Sequence, residues 1–324
     1  MNNKIISQLH TFLLCALCGL LMGCTPQSDH VFKVGATNWL GYQPLFAAQH
    51  QGHWDARRIN VVELGSATEV IRALATHSLD AAALTLDEAI TAKVRDERLE
   101  VVLVLDFSRG GDVLISKPGL SSLVDLRGKV VGVENTALGA VMLDAILKRS
   151  GLAAGDLQLF PVTYDQHASM LTSGKLDAVI TYEPVRSHLL AAGYQDLFNS
   201  AEIPDTIVDV LVVGRSLVDR YPDRVAALIS GFLSARERVM AKDPATIAGI
   251  AKRTKLSSEA VIAGFGLLEM PGLEESRRLL SQCDSGLAKT GEKVMGIMLD
   301  SGIVSWPVNL ANLCNGRLLD KVKI

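Results

Sequence analysis

Short apolar runs alternate with helical stretches along most of this chain, and no other feature narrows its fold as much. Residues 31–37 read as an apolar strand, and residues 44–51 as a helix with Pro44 in its first turn and Gly52 just past its end. Strands at 61–64, 81–84 and 101–107 follow, with helices at 67–76 and 87–96 between them. A second cycle places strands at 113–116, 130–134, 157–163 and 178–182, and helices at 136–149, 166–174 and 184–192. The helix at 136–149 carries Leu138, Val141, Met142 and Ala145 on one stripe. One more strand spans 208–214, and from Tyr221 onward the pattern is almost entirely helical. This rhythm calls for an α/β fold, parallel sheets with helices on their faces. Two cycles make two α/β lobes, 31–108 with 209–324 and 109–208. The chain crosses between them near 108–112 and 199–209, and the helical tail packs back on the first. Two lobes joined by a two-stranded hinge leave a cleft between them.

Composition removes several classes. With 48% apolar residues, 21% charged and a net charge of -3, the chain is not disordered. Its 32 Lys and Arg against 35 Asp and Glu leave no basic excess for nucleic acid. Aromatic residues are only 5%, so the core rests on Leu, Val, Ile and Ala. Near the start, Lys4 precedes an apolar run at 11–22, too short to span a bilayer and fitting a signal peptide over 1–23. Leu21-Met22-Gly23-Cys24 resembles a bacterial lipobox, which implies cleavage before Cys24, a lipid on its thiol, and a polar tether over 24–30. Cys15 and Cys18 leave with the leader. Cys283 and Cys314 remain, and an oxidising exterior permits either a bridge between them or two separate buried thiols. No Cys/His spacing marks a metal site, and no cofactor motif appears.

The strand exits share a local chemistry. Ser66 with Glu69, Thr85 with Glu88 and Thr163 with Gln166 all have the spacing of capping boxes. Open α/β sheets bind ligands beyond the carboxyl ends of their strands, at these same turns. Helix N-termini there offer donors and partial positive charge.

The stretch from Gly35 through Asn38-Trp39-Leu40-Gly41-Tyr42 to Gln49 resembles the opening of the nitrate/sulfonate/taurine-binding group of ABC-importer solute-binding proteins, which also includes binders of thiamine-pyrimidine precursors. Leu79-Asp80-Ala81, Leu123-Val-Asp-Leu-Arg-Gly-Lys-Val-Val-Gly-Val133 and Gly174-Lys-Leu-Asp-Ala178 continuing to Glu183-Pro184 extend the resemblance over roughly residues 31–270. It implies a type II periplasmic binding protein, two lobes closing over a small solute. Carried over by position, the ligand contacts are Asn38, Trp39 and Tyr42, then Ser66 and Thr68, then Thr85 and Asp87 from the first lobe. Glu134, Asn135, Thr136, Tyr182 and Glu183 come from the second, and Asp106, Asp112 and Asp209 lie near the crossings. The implied partners are a small-molecule ligand and an ABC permease with its ATPase. The chain would be a monomer, exported and lipid-anchored, facing the periplasm or cell exterior.

The strand tips carry Asp87, Asp106, Asp112, Glu134, Glu183 and Asp209, against Arg109 as the one nearby cation. Carboxylates facing a cleft repel nitrate and sulfonates and favour an amine or a heterocycle with donor groups. Enzyme chemistry is disfavoured, because the histidines are scattered and none stands beside a Ser or Cys as a nucleophile pair. The remaining rival is a sensing protein whose closed form is read by a signalling receptor. Neighbouring genes separate the two: a permease and ATPase mark uptake, a kinase or cyclic-dinucleotide enzyme marks sensing.

Overall fold

The computed structural model describes residues 30–324, so the leader, Cys24 and the tether through residue 29 lie outside the described residues. In chain order the first half comprises β1 (Phe32–Ala36), α1 (Gln43–His50), β2 (Ile59–Glu63), α2 (Ala67–Ala75), β3 (Ala81–Thr85), α3 (Leu86–Lys93) and β4 (Leu99–Ser108). Then come β5 (Asp112–Ser116), β6 (Val130–Val133), α4 (Ala137–Ser150), β7 (Gln158–Pro161), α5 (His167–Thr172), β8 (Ala178–Tyr182), α6 (Val185–Ala191) and β9 (Gln195–Asn199). The last part is β10 (Val208–Gly214), α7 (Arg215–Arg220), α8 (Pro222–Met240), α9 (Pro244–Thr254), α10 (Ser258–Phe265), β11 (Leu268–Glu269), α11 (Leu273–Ser281) and α12 (Leu287–Asp300).

These strands form two sheets, one ordered β11-β4-β10-β3-β1-β2 and the other β7-β6-β8-β5-β9. The chain passes from the first to the second between β4 and β5 and returns between β9 and β10. Neither sheet is wholly parallel, which corrects the expectation from the strand–helix rhythm. β10 runs antiparallel between β3 and β4, and β5 antiparallel between β8 and β9. β5 and β10 each follow a crossing, where no helix intervenes to turn the chain back the same way, and the short edge strand β11 also pairs antiparallel with β4. The central strands are buried on both faces and read as unbroken apolar runs: Val210, Leu211 and Val213 in β10 and Leu103, Val104 and Leu105 in β4 have no exposed surface.

Two segments differ from their sequence reading. Strand β9, Gln-Asp-Leu-Phe-Asn, pairs with one neighbour at the sheet edge, so a single fully buried residue, Phe198, gave little pattern to read. The chain beyond α12 is irregular rather than helical, and joins β4 through a bridge between Val101 and Cys314. Cys314 is also tied covalently to Cys283, between α11 and α12, by a disulfide with Cα atoms 6.1 Å apart. The tail also reaches further than the first sheet: α12 packs on both α3 and α4, and Lys293 Nζ donates to Thr206 Oγ1 at 3.4 Å. Among the described residues no helix is long and apolar enough to cross a membrane.

The disulfide closes a loop of 31 residues in sequence separation. The chain-entropy model assigns such a loop about 3–4 kcal/mol. Cys283→Ser is expected to lower unfolding stability in urea by an amount of that order. An unchanged midpoint would mean the tail is held by its packing alone.

Candidate functional site

Between the ends of the two sheets lies a cavity of about 20 Å³, lined by Thr37, Trp39, Tyr42, Ala67, Thr85 and Glu88 from segments around the first sheet. Asp112, Leu138 and Tyr182 close it from the second, and Asp209 joins them from the second position of β10. That volume holds about one water molecule, so any larger guest requires the walls to part.

Backbone register assembles the polar face. Asp209 is the register partner of Thr85 in β3 and of Asp106 in β4, which puts three side chains in a row on one face. A slip in register follows at once, between Asp209 and Val210, and marks a bulge beside the site. Across the cavity, Asp112 pairs with Tyr182 at the ends of β5 and β8. At the end of β3 the Thr85 capping box is complete: the Glu88 backbone N–H donates to Thr85 Oγ1, and the Thr85 N–H donates to Glu88 Oε2 at 3.2 Å. This fixes Glu88 at the cavity wall.

The aromatic walls are equally constrained. Trp39 Nε1 donates to Asp106 Oδ2 at 3.3 Å, and the Tyr42 hydroxyl donates to Asp209. Trp39 meets Tyr182 edge to face at 5.6 Å, and Tyr164 stacks on Tyr182 at 4.2 Å. Two glycines make room for this. A Cβ on Gly41 would stand 1.9 Å from Asp106 Oδ2, and one on Gly111 would stand 2.5 Å from the Trp39 ring.

Six carboxyls are buried here: Asp87, Glu88, Asp106, Asp112, Glu134 and Asp209, from 0% to 8% exposed. Asp87 Oδ2, Asp106 Oδ1, Asp112 Oδ2, Glu134 Oε1 and Asp209 Oδ2 have no hydrogen-bond partner. Burial of charge pushes Asp87 up to about 6, Asp112 and Glu134 to about 7, and Asp106 to about 8. Glu88 and Asp209 lie well above their ordinary values, first through burial and then through the neighbouring carboxylates. Arg109 does not relieve this. It is half-buried on the crossing and binds Glu269 at 2.6 Å and Asp205 at 2.7 Å.

Of the residues named from the sequence, Trp39, Tyr42, Thr85, Tyr182 and Asp209 come together around the cavity. Asp87 and Glu134 are buried beside it and each keeps an unpartnered oxygen. Asn38 accepts from Gln43 Nε2 at 3.0 Å within its own turn. Ser66 and Thr136 cap α2 and α4, accepting from the backbone of Glu69 and Gly139. Thr68 and Asn135 are exposed and face an outer groove. Glu183 is fully buried and bound by Arg186 and Ser187, so its carboxylate is satisfied at the start of α6. The Thr163 box does not form; its hydroxyl donates to Asp165 Oδ1 at 2.6 Å instead. Glu88 and Thr37 line the cavity although the sequence marked Glu88 only as a cap; the signal available was its place three residues after a strand-tip threonine. Among the described residues no three His, Cys, Asp or Glu side chains converge as a metal site.

Two sheets, a double crossing and a site at the strand ends define the periplasmic binding protein fold. The solved ligand-binding component of an ABC-type import system from Staphylococcus aureus, with zinc bound, superposes with a TM-score of 0.73 at 13% identity, over 91% of this chain and 99% of that one. The aliphatic sulphonate binding protein SsuA of Escherichia coli gives 0.70 at 16% identity, over 90% and 92%. The desulfurization enzyme DszB gives 0.65 at 17% identity, over 90% and 98%. Residues 26–255 match the model of the NMT1-like family, and the chain belongs to that family. A Brucella abortus protein named as a binding protein is 22% identical over 208 residues, 62% of this chain. The chain spans 59% of the length of that curated relative.

The raised carboxyls set a pH dependence whose sign follows from linkage. Folded, these groups hold protons that the unfolded chain releases near pH 4, so stability falls as pH rises through their folded values. His167 opposes this below pH 6.5, because burial lowers its pKa to about 4. The unfolding temperature of the ligand-free protein is therefore expected to fall by several degrees between pH 6.5 and 8.5 in scanning calorimetry. A flat or rising profile there would place the carboxyls in water.

Proposed function

We propose that this chain is the extracytoplasmic solute-binding component of an ABC importer, and that it captures a small organic cation or an amine-bearing heterocycle. In this reading it is exported, carries lipid on Cys24, and works as a monomer that delivers its solute to a permease. Its lobes are 31–108 with 209–324 and 109–208, hinged at the two crossings. The observation that carries the reading is the set of five unpartnered carboxylate oxygens, contributed by segments of both sheets.

Closure brings those groups together and out of water. Isolated buried charges are strongly unfavourable, so without a guest they resist closure unless protonated. A cation reverses the balance, since its attraction to the carboxylates exists only in the closed state. A ligand moves a conformational equilibrium by that difference in affinity alone. The walls suit the same guest: Trp39, Tyr42 and Tyr182 present aromatic surface, and a cation over such rings gains about 1–2 kcal/mol when desolvated. An anionic sulfonate or nitrate would meet like charge from every side.

A ligand that binds only the folded state raises the unfolding temperature by mass action. In a thermal-shift panel of amines, pyrimidines, amino acids, sulfonates and nitrate, stabilisation is expected from amines or aminopyrimidines. Stabilisation by sulfonates or nitrate alone would overturn the reading. For a positive ligand, Trp39→Ala is expected to weaken affinity about tenfold or more, the equivalent of ~1.4 kcal/mol. An unchanged affinity would move the site away from this cavity.

A further inference from the structure

We propose that α12 is a latch: fastened to the first sheet, it holds α4 of the second sheet in the closed position and sets solute affinity without touching the solute. This rests on the hinge closure in the solute-binding reading above and names the device that governs it. At the junction of the two sheets α3 and α4 pack on each other, and α12 packs on both, so it spans that seam.

The fastening is on one side. α12 lies between Cys283 and Cys314, which the disulfide joins. Cys314 bridges Val101 of β4; the Val101 N–H donates to the Leu313 carbonyl and the Asn315 N–H to the Val101 carbonyl, each at 2.8 Å. Asn315 Nδ2 also donates to Glu100 Oε2 at 2.6 Å. Val294, Met295 and Met298 of the helix are buried, and Gly291 lets it close on α3, where a Cβ would stand 3.0 Å from Ile90 Cδ1. α12 therefore travels with the first sheet, and its contact with α4 is the one that must break when the sheets part.

That contact is flanked by open space. Ile297 and Asp144 line two grooves at once, one of about 490 Å³ reaching to Leu159 and Phe160, the other of about 400 Å³ reaching to Thr206 on the return crossing. A residue lining both lies on the ridge between them, so α12 meets α4 along a ridge rather than across a sealed face. Ile297 is half-buried there, and Lys293 Nζ adds its bond to Thr206 Oγ1. Closure remakes these contacts whatever the solute, so they bias the closed state alongside the solute's own contacts. Apparent affinity falls in proportion as the closed fraction falls.

The test is small-angle X-ray scattering of the purified, ligand-free protein at pH 6, where Asp106, Asp112 and Glu134 largely hold their protons and do not drive the sheets apart. Ile297→Asp sets a carboxylate against α4, and Lys293→Ala removes the bond to Thr206. Both are expected to show a larger radius of gyration than the unaltered protein, with the larger shift for Ile297→Asp. Glu292→Ala, exposed on the same helix and lining neither groove, is expected to leave it unchanged. In a Trp54→Phe, Trp306→Phe background Trp39 is the one tryptophan left, and it is buried in the cavity wall. Its acrylamide quenching constant is expected to rise about threefold or more with Ile297→Asp, as the population moves from mainly closed to mainly open. Variants that are folded by circular dichroism yet as compact as the unaltered protein, with Trp39 no more accessible, would overturn the latch. So would an unaltered protein already as expanded as Ile297→Asp. No ligand enters these measurements, so failure of the amine panel would overturn the cation reading and leave the latch standing.

Discussion

Asp209 stands at the centre of the one arrangement on which the rest of this molecule depends. One of its oxygens accepts from Tyr42, while the other is buried with no partner among further carboxyls. Taking several carboxyls out of water together is unfavourable by far more than a single salt bridge returns. The backbone nevertheless commits to it: β10 lies between β3 and β4 only because the chain returns from the second sheet there, and its register sets Asp209 beside Thr85 and Asp106. A protein that buries such a row must relieve the repulsion by opening, by taking up protons, or by taking up a cation. Those three options are the cycle that the proposed solute-binding function requires.

The surrounding architecture keeps the row in place. Its scaffold is a pair of sheets whose central strands are buried on both faces, so the carboxyls project from stiff elements rather than loose loops. Gly41 and Gly111 let the Trp39 indole and the Asp106 carboxyl approach without a clash, and Trp39 in turn touches Tyr182 from the other sheet. The disulfide-tied tail adds a contact on the far side, where α12 packs on helices associated with both sheets. Movement of one sheet against the other thus acts on the site and on α12 together.

Much of the fold was legible before any coordinates. The strands β8 and β10 were bounded to the residue, since a strand buried on both faces is apolar at most of its positions, with Thr181 and Asp209 the polar interruptions. Strand direction was not legible, because an apolar run carries no mark of parallel or antiparallel pairing, and β5 and β10 reverse the expected sense. An edge strand such as β9 has too few buried positions to register. At the site, Trp39, Tyr42, Thr85, Tyr182 and Asp209 are named through the family resemblance, carried over by position, and these five line the cavity. The separation of satisfied from unsatisfied carboxylates was not legible. Glu183 and Asp112 look alike in sequence, yet Glu183 is bound by Arg186 and Ser187 of its own helix, while Asp112 keeps a bare oxygen. Glu88 was hidden because its local role as a cap explained it completely.

The central claim is that buried carboxyls hold protons when the site is empty and exchange them for a cation. Calorimetric titration of a bound amine at pH 7 in buffers of different ionisation enthalpy counts that exchange directly. The account predicts net proton release into the buffer, diminishing as pH is raised past about 8, where Asp87, Asp106, Asp112 and Glu134 are already largely bare. Binding with no buffer dependence, or with proton uptake, would contradict it.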